Sequence, residues 1–186
     1  ICIANIDRKR DFTFPTFISE DKVKFPSSGH SDQFISFIEK ELQPFIEQSF
    51  HTNLKKTIIG QSLAGLLATE ILITKPFLFN NYIIVSPSIW WNNASILDQS
   101  GPIFQADFNQ QIQIYLAVGK EGLTPTRIPR VMEVDVNLLN EKISAVANKN
   151  VNLFFDFLPD KDHATILHQA VSNAFAVLFS SNNHKD

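Results

Sequence analysis

Ser62 sits where a serine can be turned into a nucleophile. Residues Gly60-Gln61-Ser62-Leu63-Ala64 close the apolar run Thr57–Gly60 and open the apolar run Leu63–Thr74. A strand passing through a small-residue turn into a helix is the setting of a nucleophile elbow, G-x-S-x-G. The turn is sharp and strained, so the residues two positions either side of the serine must lack bulk. Gly60 meets that demand. Ala64 stands where the pattern has a second glycine, and Gly65 follows it. The same turn puts Ser62 at the start of a helix, where the Leu63 N–H and the helix dipole face any oxyanion formed on a substrate. A serine before a helix is also an ordinary N-cap; the strand–turn–helix context favours the nucleophile.

A serine is a weak nucleophile without a base. Five histidines are present. Behind such an elbow the partners follow in chain order serine, acid, histidine, on later strand ends. His163 fits: it lies in the loop Pro159-Asp160-Lys161-Asp162-His163, after the apolar run Val151–Leu158 and before the final helical segment. His30 lies in a Gly/Ser loop, His51 near a helix end, His168 inside the last helix and His184 in the tail; these read as structural or solvated. The orienting acid belongs after the penultimate strand. There Ile112–Val118 runs into Gly119-Lys120-Glu121, which makes Glu121 the candidate. Glu133 and Asp135 fall in the next helix, and Asp160 and Asp162 read as residues that fix the histidine loop. A Ser–His pair without an acid stays open.

Trp90 and Trp91 are adjacent in the loop after Tyr82–Ser86. One is expected to pack inward and the other to line the substrate pocket. Arg8 and Arg10 could bind an anionic substrate group, or pair locally with Asp7 and Asp11.

The elements that must position these residues are legible as alternating patterns. Five short apolar runs read as strands: Ile1–Asn5, Thr57–Gly60, Tyr82–Ser86, Ile112–Val118 and Val151–Leu158. Consecutive apolar residues in them fit strands buried on both faces, as in a parallel sheet. Helical periodicity covers Ser31–Gln48, Leu63–Thr74, Arg130–Asn148 and Ala164–Phe179. The alternation predicts an α/β domain over residues 1–180, a mostly parallel sheet with helices on both faces, followed by a polar tail at 181–186. Asp11–Gly29, Trp90–Gln110 and Gly119–Pro129 read as loops.

The chain has 186 residues and 44% hydrophobic residues, enough for one well-filled core. A net charge of -3 argues against a nucleic-acid surface. No run approaches the ~20 apolar residues of a membrane span. The single cysteine, Cys2, excludes an intrachain disulfide and a cysteine metal site, reads as buried and inert, and fits cytoplasm and periplasm alike. No feature specifies an oligomer. The chain opens on Ile-Cys-Ile-Ala without a methionine, so upstream residues of the natural protein are expected to be missing.

With these residues in place the sequence resembles the esterase D-type esterases, and within them the enterochelin (siderophore) esterase-like hydrolases of the α/β-hydrolase superfamily. The resemblance spans essentially the whole chain. It is carried by Asn5–Pro15, the elbow Gly60–Leu67, Ser86-Pro87-Ser88-Ile89-Trp90-Trp91, Val118-Gly119-Lys120-Glu121 and Leu158–His163. The family's R-x-R-D-x-T-P motif has an extra residue here, Phe14, between Thr13 and the proline. Gln61, Ala64 and Ala164 depart from the usual G-H-S-x-G-G and D-H-G patterns but leave Ser62 and His163 in place. The resemblance implies an α/β-hydrolase fold lacking its first strands, hydrolysis of small-molecule carboxylic esters through an acyl-serine, and no metal or organic cofactor. Those first strands carry the second oxyanion donor in the family, which leaves Leu63 as the one donor named. An acyltransferase, or an inactive binding protein of the same fold, are the rival readings.

Overall fold

The computed structural model describes residues 7–124, 126, 128–146 and 148–179. The expected strand Ile1–Asn5 with Cys2, and the tail with His184, lie outside the described residues. The four remaining expected strands form one sheet: β1 (Thr57–Ser62), β2 (Asn81–Pro87), β3 (Ile112–Gly119) and β4 (Val151–Leu158). They are ordered β1-β2-β3-β4 and every neighbouring pair is parallel. All four C-terminal ends therefore emerge along one edge, which is where ligands bind in open sheets of this kind.

Helices cover both faces. Preceding the sheet are α1 (Arg8–Asp11), α2 (Ser19–Lys24), α3 (Ser31–Phe37) and α4 (Gln43–Ser49). After β1 come α5 (Leu63–Thr74), α6 (Met132–Ser144) and α7 (Ile166–Phe179). One core joins α3, α5 and α6 to the sheet side chains Tyr82, Ile84, Ile114 and Leu116. The second lies under α7, where Ala170 and Ala174 bring that helix close to Ile83, Val85, Tyr115 and Ala117. The alternation of strand side chains between two faces separates these two sets. Among the described residues no helix is long and apolar enough to cross a membrane.

Several local features depart from the sequence expectation. The loop 11–29 contains α2, whose acidic Glu20 and Asp21 begin the helix and whose Lys22 and Lys24 end it, as the helix dipole favours. The helix expected at 31–48 is interrupted by a π segment, Ile38–Leu42, just before Pro44. Proline has no N–H to complete the regular ladder, so the turn before it widens. β4 is an edge strand, and Phe154, Phe155 and Phe157 on it are half-exposed rather than buried on both faces. The helix expected at 130–148 is shorter, Met132–Ser144; at its start Arg130 lies outside it, paired through two nitrogens with the buried carboxylate of Asp135.

Candidate active site

Ser62 ends β1 with φ 59° and ψ −121°, and α5 begins at the next residue. Such a left-handed φ on a residue with a Cβ costs of order 1–3 kcal/mol and persists only where the surroundings enforce it. Gly60 is part of that enforcement: a Cβ on it would stand 2.2 Å from the Ala64 carbonyl oxygen. Gly65 lets the helix pass over β2, since a Cβ there would come within 2.9 Å of Pro87 Cα. The Ser62 side chain makes no capping bond to α5; its Oγ lies 3.3 Å from Ser88 Oγ. Leu63 is the first residue of α5, so its N–H belongs to the set a helix cannot satisfy internally.

His163 Nδ1 donates to Glu121 Oε2 over 2.6 Å. That fixes the ring and leaves Nε2 as the basic nitrogen. The Glu121 side chain is only 3% exposed, while His163 is 46% exposed. Burial pushes the Glu121 carboxyl up, but hydrogen bonds from His163 and Ser86 and the histidine charge outweigh it and hold the group below its usual range. Glu121 in turn raises the imidazole above its ordinary value, against the opposing effect of burial.

Both loops are pinned. The Glu133 carboxylate, at the start of α6, accepts from the N–H groups of Glu121 (2.8 Å) and Gly122 (3.0 Å). The Lys120 N–H donates to the Lys161 carbonyl over 2.8 Å, joining the acid loop to the histidine loop. Gly119 permits this approach, because a Cβ there would lie 2.4 Å from the same carbonyl oxygen. Asp162 accepts from the N–H groups of Ala164 and Thr165, and Asp160 pairs with Lys161. The other candidate acids, Glu133, Asp135, Asp160 and Asp162, are thus engaged elsewhere.

The structure brings His163 to Glu121 and Ser62 to Ser88. Among the described residues Ser62 and His163 share no direct hydrogen bond. The link between their loops is Gln61, whose Nε2 donates to the His163 carbonyl over 2.6 Å.

The two tryptophans divide. Trp91 is fully buried and its Nε1 donates to the Phe14 carbonyl over 2.8 Å. Trp90 is partly exposed and lines a cavity of about 630 Å³ together with Lys9, Ile18, Lys24, Phe25 and Ile128. Trp90 lies two residues beyond Ser88, and Ser62, Glu121 and His163 are not among the residues that line this cavity. Behind it Asn92, Asn93 and Ala94 all have positive φ, and Asn92 accepts from the Phe17 N–H, tying this turn to the N-terminal loop. Arg10 is turned away: its Nε bonds Asp11 over 2.9 Å, and Lys9 rather than Arg10 reaches the cavity. Lys9 Nζ stands 4.0 Å from the centre of the Phe25 ring. Sequence reasoning missed Ser86, Ser88, Gln61 and Lys9. The Ser86-Pro87-Ser88 triplet was the visible signal for two of them.

Comparison with known proteins adds an independent line. A family model described as "Putative esterase" matches residues 3–163. The ferri-bacillibactin esterase BesA of Bacillus subtilis is 34% identical over 176 residues, covering 90% of this chain and 60% of the relative. Among solved structures, an IroE-like serine hydrolase from Shewanella oneidensis superposes with a TM-score of 0.78 at 26% identity, over 94% of this chain and 57% of that one. The BES protein from Bacillus cereus does so with a TM-score of 0.75 at 32% identity, over 90% and 61%. The chain thus spans less than two thirds of the length of these relatives.

Proposed function

Because the chain belongs to the putative esterase family, we propose that it hydrolyses carboxylic esters at Ser62, with His163 as general base and Glu121 as the acid that orients it. The observation that carries this reading is the hydrogen-bonded Glu121–His163 pair, whose histidine loop is joined through Gln61 to a serine held at positive φ on a helix start. In the first step Ser62 Oγ attacks the ester carbonyl while His163 Nε2 takes its proton. The oxyanion is met by the Leu63 N–H and the positive end of α5. The imidazolium, stabilised by Glu121, protonates the departing alcohol. Water then attacks the acyl-serine with His163 again taking the proton, and the acid and free serine are released.

The substrate class proposed is a siderophore ester. The support is the name of the B. subtilis relative and the partly apolar cavity beside Trp90, roomy enough for an aromatic or aliphatic arm. The test is covalent labelling by a fluorophosphonate, with the modified residue located by mass spectrometry, alongside hydrolysis of short p-nitrophenyl esters. Labelling at Ser62 and loss of turnover in Ser62→Ala are expected. Turnover retained by Ser62→Ala rejects the mechanism, and a labelled alcohol acceptor separates hydrolysis from acyl transfer.

A further inference from the structure

The register between β1 and β2 slips by one residue at the site. Gln61 pairs with Val85 but Ser62 pairs with Pro87, leaving Ser86 as the extra residue of a bulge. Ser86 has φ 43°, a left-handed value unusual for serine, and is completely buried. Bulges recur beside active sites because they re-aim a side chain that regular pleating would send elsewhere. Here the re-aimed hydroxyl donates to Glu121 Oε1, the carboxylate oxygen not used by His163. The same bulge brings the Ser88 N–H to the Ser62 carbonyl over 3.0 Å and the Ser88 hydroxyl to Ser62 Oγ. One irregularity thus supplies a hydroxyl to two members of the proposed triad.

We propose that Ser86 is a positioning residue: its hydroxyl, aimed by the bulge, holds the Glu121 carboxylate in the one orientation that presents Oε2 to His163. This deepens the triad reading above and rests on it. A carboxylate has two oxygens and a free terminal torsion. Among the described residues the Ser86 bond is the one side-chain bond on Oε1, the other donor being the Gly119 N–H at a long 3.4 Å. Without Ser86 the carboxylate turns, and the imidazole loses its partner. The backbone strain at residue 86 is then the cost of that aim.

The test uses the full chain and two variants, Ser86→Ala and Ser86→Gly. Glycine tolerates φ 43° without strain, so Ser86→Gly removes the hydroxyl while easing the backbone and covers the case in which Ser86→Ala does not fold. The readouts are NMR titration of the His163 imidazole, assigned against His163→Gln, and the pH profile of kcat/KM. Besides Glu121, the charged group acting on His163 is Asp162, which both variants leave unchanged. In both, the His163 midpoint is expected to fall towards the ordinary value of 6.5, and kcat to drop roughly ten- to a hundredfold with KM little changed. A midpoint that stays put or rises, or a Ser86→Gly enzyme of wild-type kcat, overturns the proposal. The titration needs no turnover, so it reads Ser86 even if the esterase reading itself fails.

Discussion

Gln61 and His163 are 102 residues apart in the chain, yet the Gln61 amide donates to the His163 carbonyl over 2.6 Å. The residue before the proposed nucleophile thereby grips the backbone of the proposed base. Gln61→Leu keeps the bulk and removes the donor. It is expected to lower kcat roughly tenfold by letting the histidine loop drift, with little change in thermal stability because the bond is exposed. Steady-state kinetics beside a melting curve checks this; an unchanged kcat means the loop needs no such grip.

The strained serine predicts a trade between activity and stability. Ser62→Ala and Ser62→Gly are both expected to lose at least about 10³-fold in kcat/KM. Ser62→Gly should be the more stable of the two by about 1 kcal/mol, because glycine accepts φ 59° freely. Urea unfolding of both variants decides. Equal stabilities would mean that residue 62 stores no strain.

Glu121→Gln tests the acid through pH. A histidine base must be unprotonated, and Glu121 raises His163 above its ordinary value, so the acid limb of kcat/KM is expected above 6.5 in the wild type. In the variant the limb should move to lower pH and kcat should fall by roughly a hundredfold or more. The pair also adds stability within a window. The raised His163 contributes fully below its unfolded value of 6.5, and this is lost as pH rises through its folded value. The lowered Glu121 contributes above its unfolded value of 4.5, and this is lost as pH falls through its folded value. The melting-temperature advantage of wild type over Glu121→Gln should thus peak between about pH 4.5 and 6.5 and shrink on both sides. A flat difference across pH counts against the ion pair.

The adjacent tryptophans should separate binding from folding. Trp91→Ala empties a fully buried site and loses the bond to Phe14, and is expected to cost about 3–5 kcal/mol of stability. Trp90→Ala should leave stability nearly intact and raise KM for an aromatic ester roughly tenfold, the worth of one aromatic contact. Similar losses of stability in both would place Trp90 in the core instead.

What could be read before the structure was whatever local periodicity controls. Leu63–Thr74 is apolar on nearly every side, and α5 has those bounds. The strand cores and the chain order of Ser62, Glu121 and His163 follow from the same alternation of short apolar runs with helices. The rest depends on partners distant in sequence. Which of Trp90 and Trp91 turns inward is settled by the Phe14 carbonyl, seventy-seven residues from Trp91. The bulge at Ser86 exists only in the register of β2 against β1, which neither strand encodes by itself. Arg10 takes the local pairing with Asp11 that the sequence offered as its alternative, while Lys9 stands over the Phe25 ring, a contact that needs the fold to bring α1 and residue 25 together. The half-exposed phenylalanines of β4 reflect its place at the edge of the sheet, a property of strand order that composition does not carry.

The uniformly parallel pairing of β1 to β4 also governs how the chain reaches its fold. No two neighbouring strands can zip up as a hairpin, because each pair is separated by a crossover, the shortest running from Ser62 to Asn81. Loop-closure entropy must be met before the first ladder bond rewards it, so refolding is expected to be slower than that of a hairpin-built sheet of the same size. The strained elbow joins β1 to α5, so it lies inside that shortest crossover and its geometry is fixed only once the crossover closes.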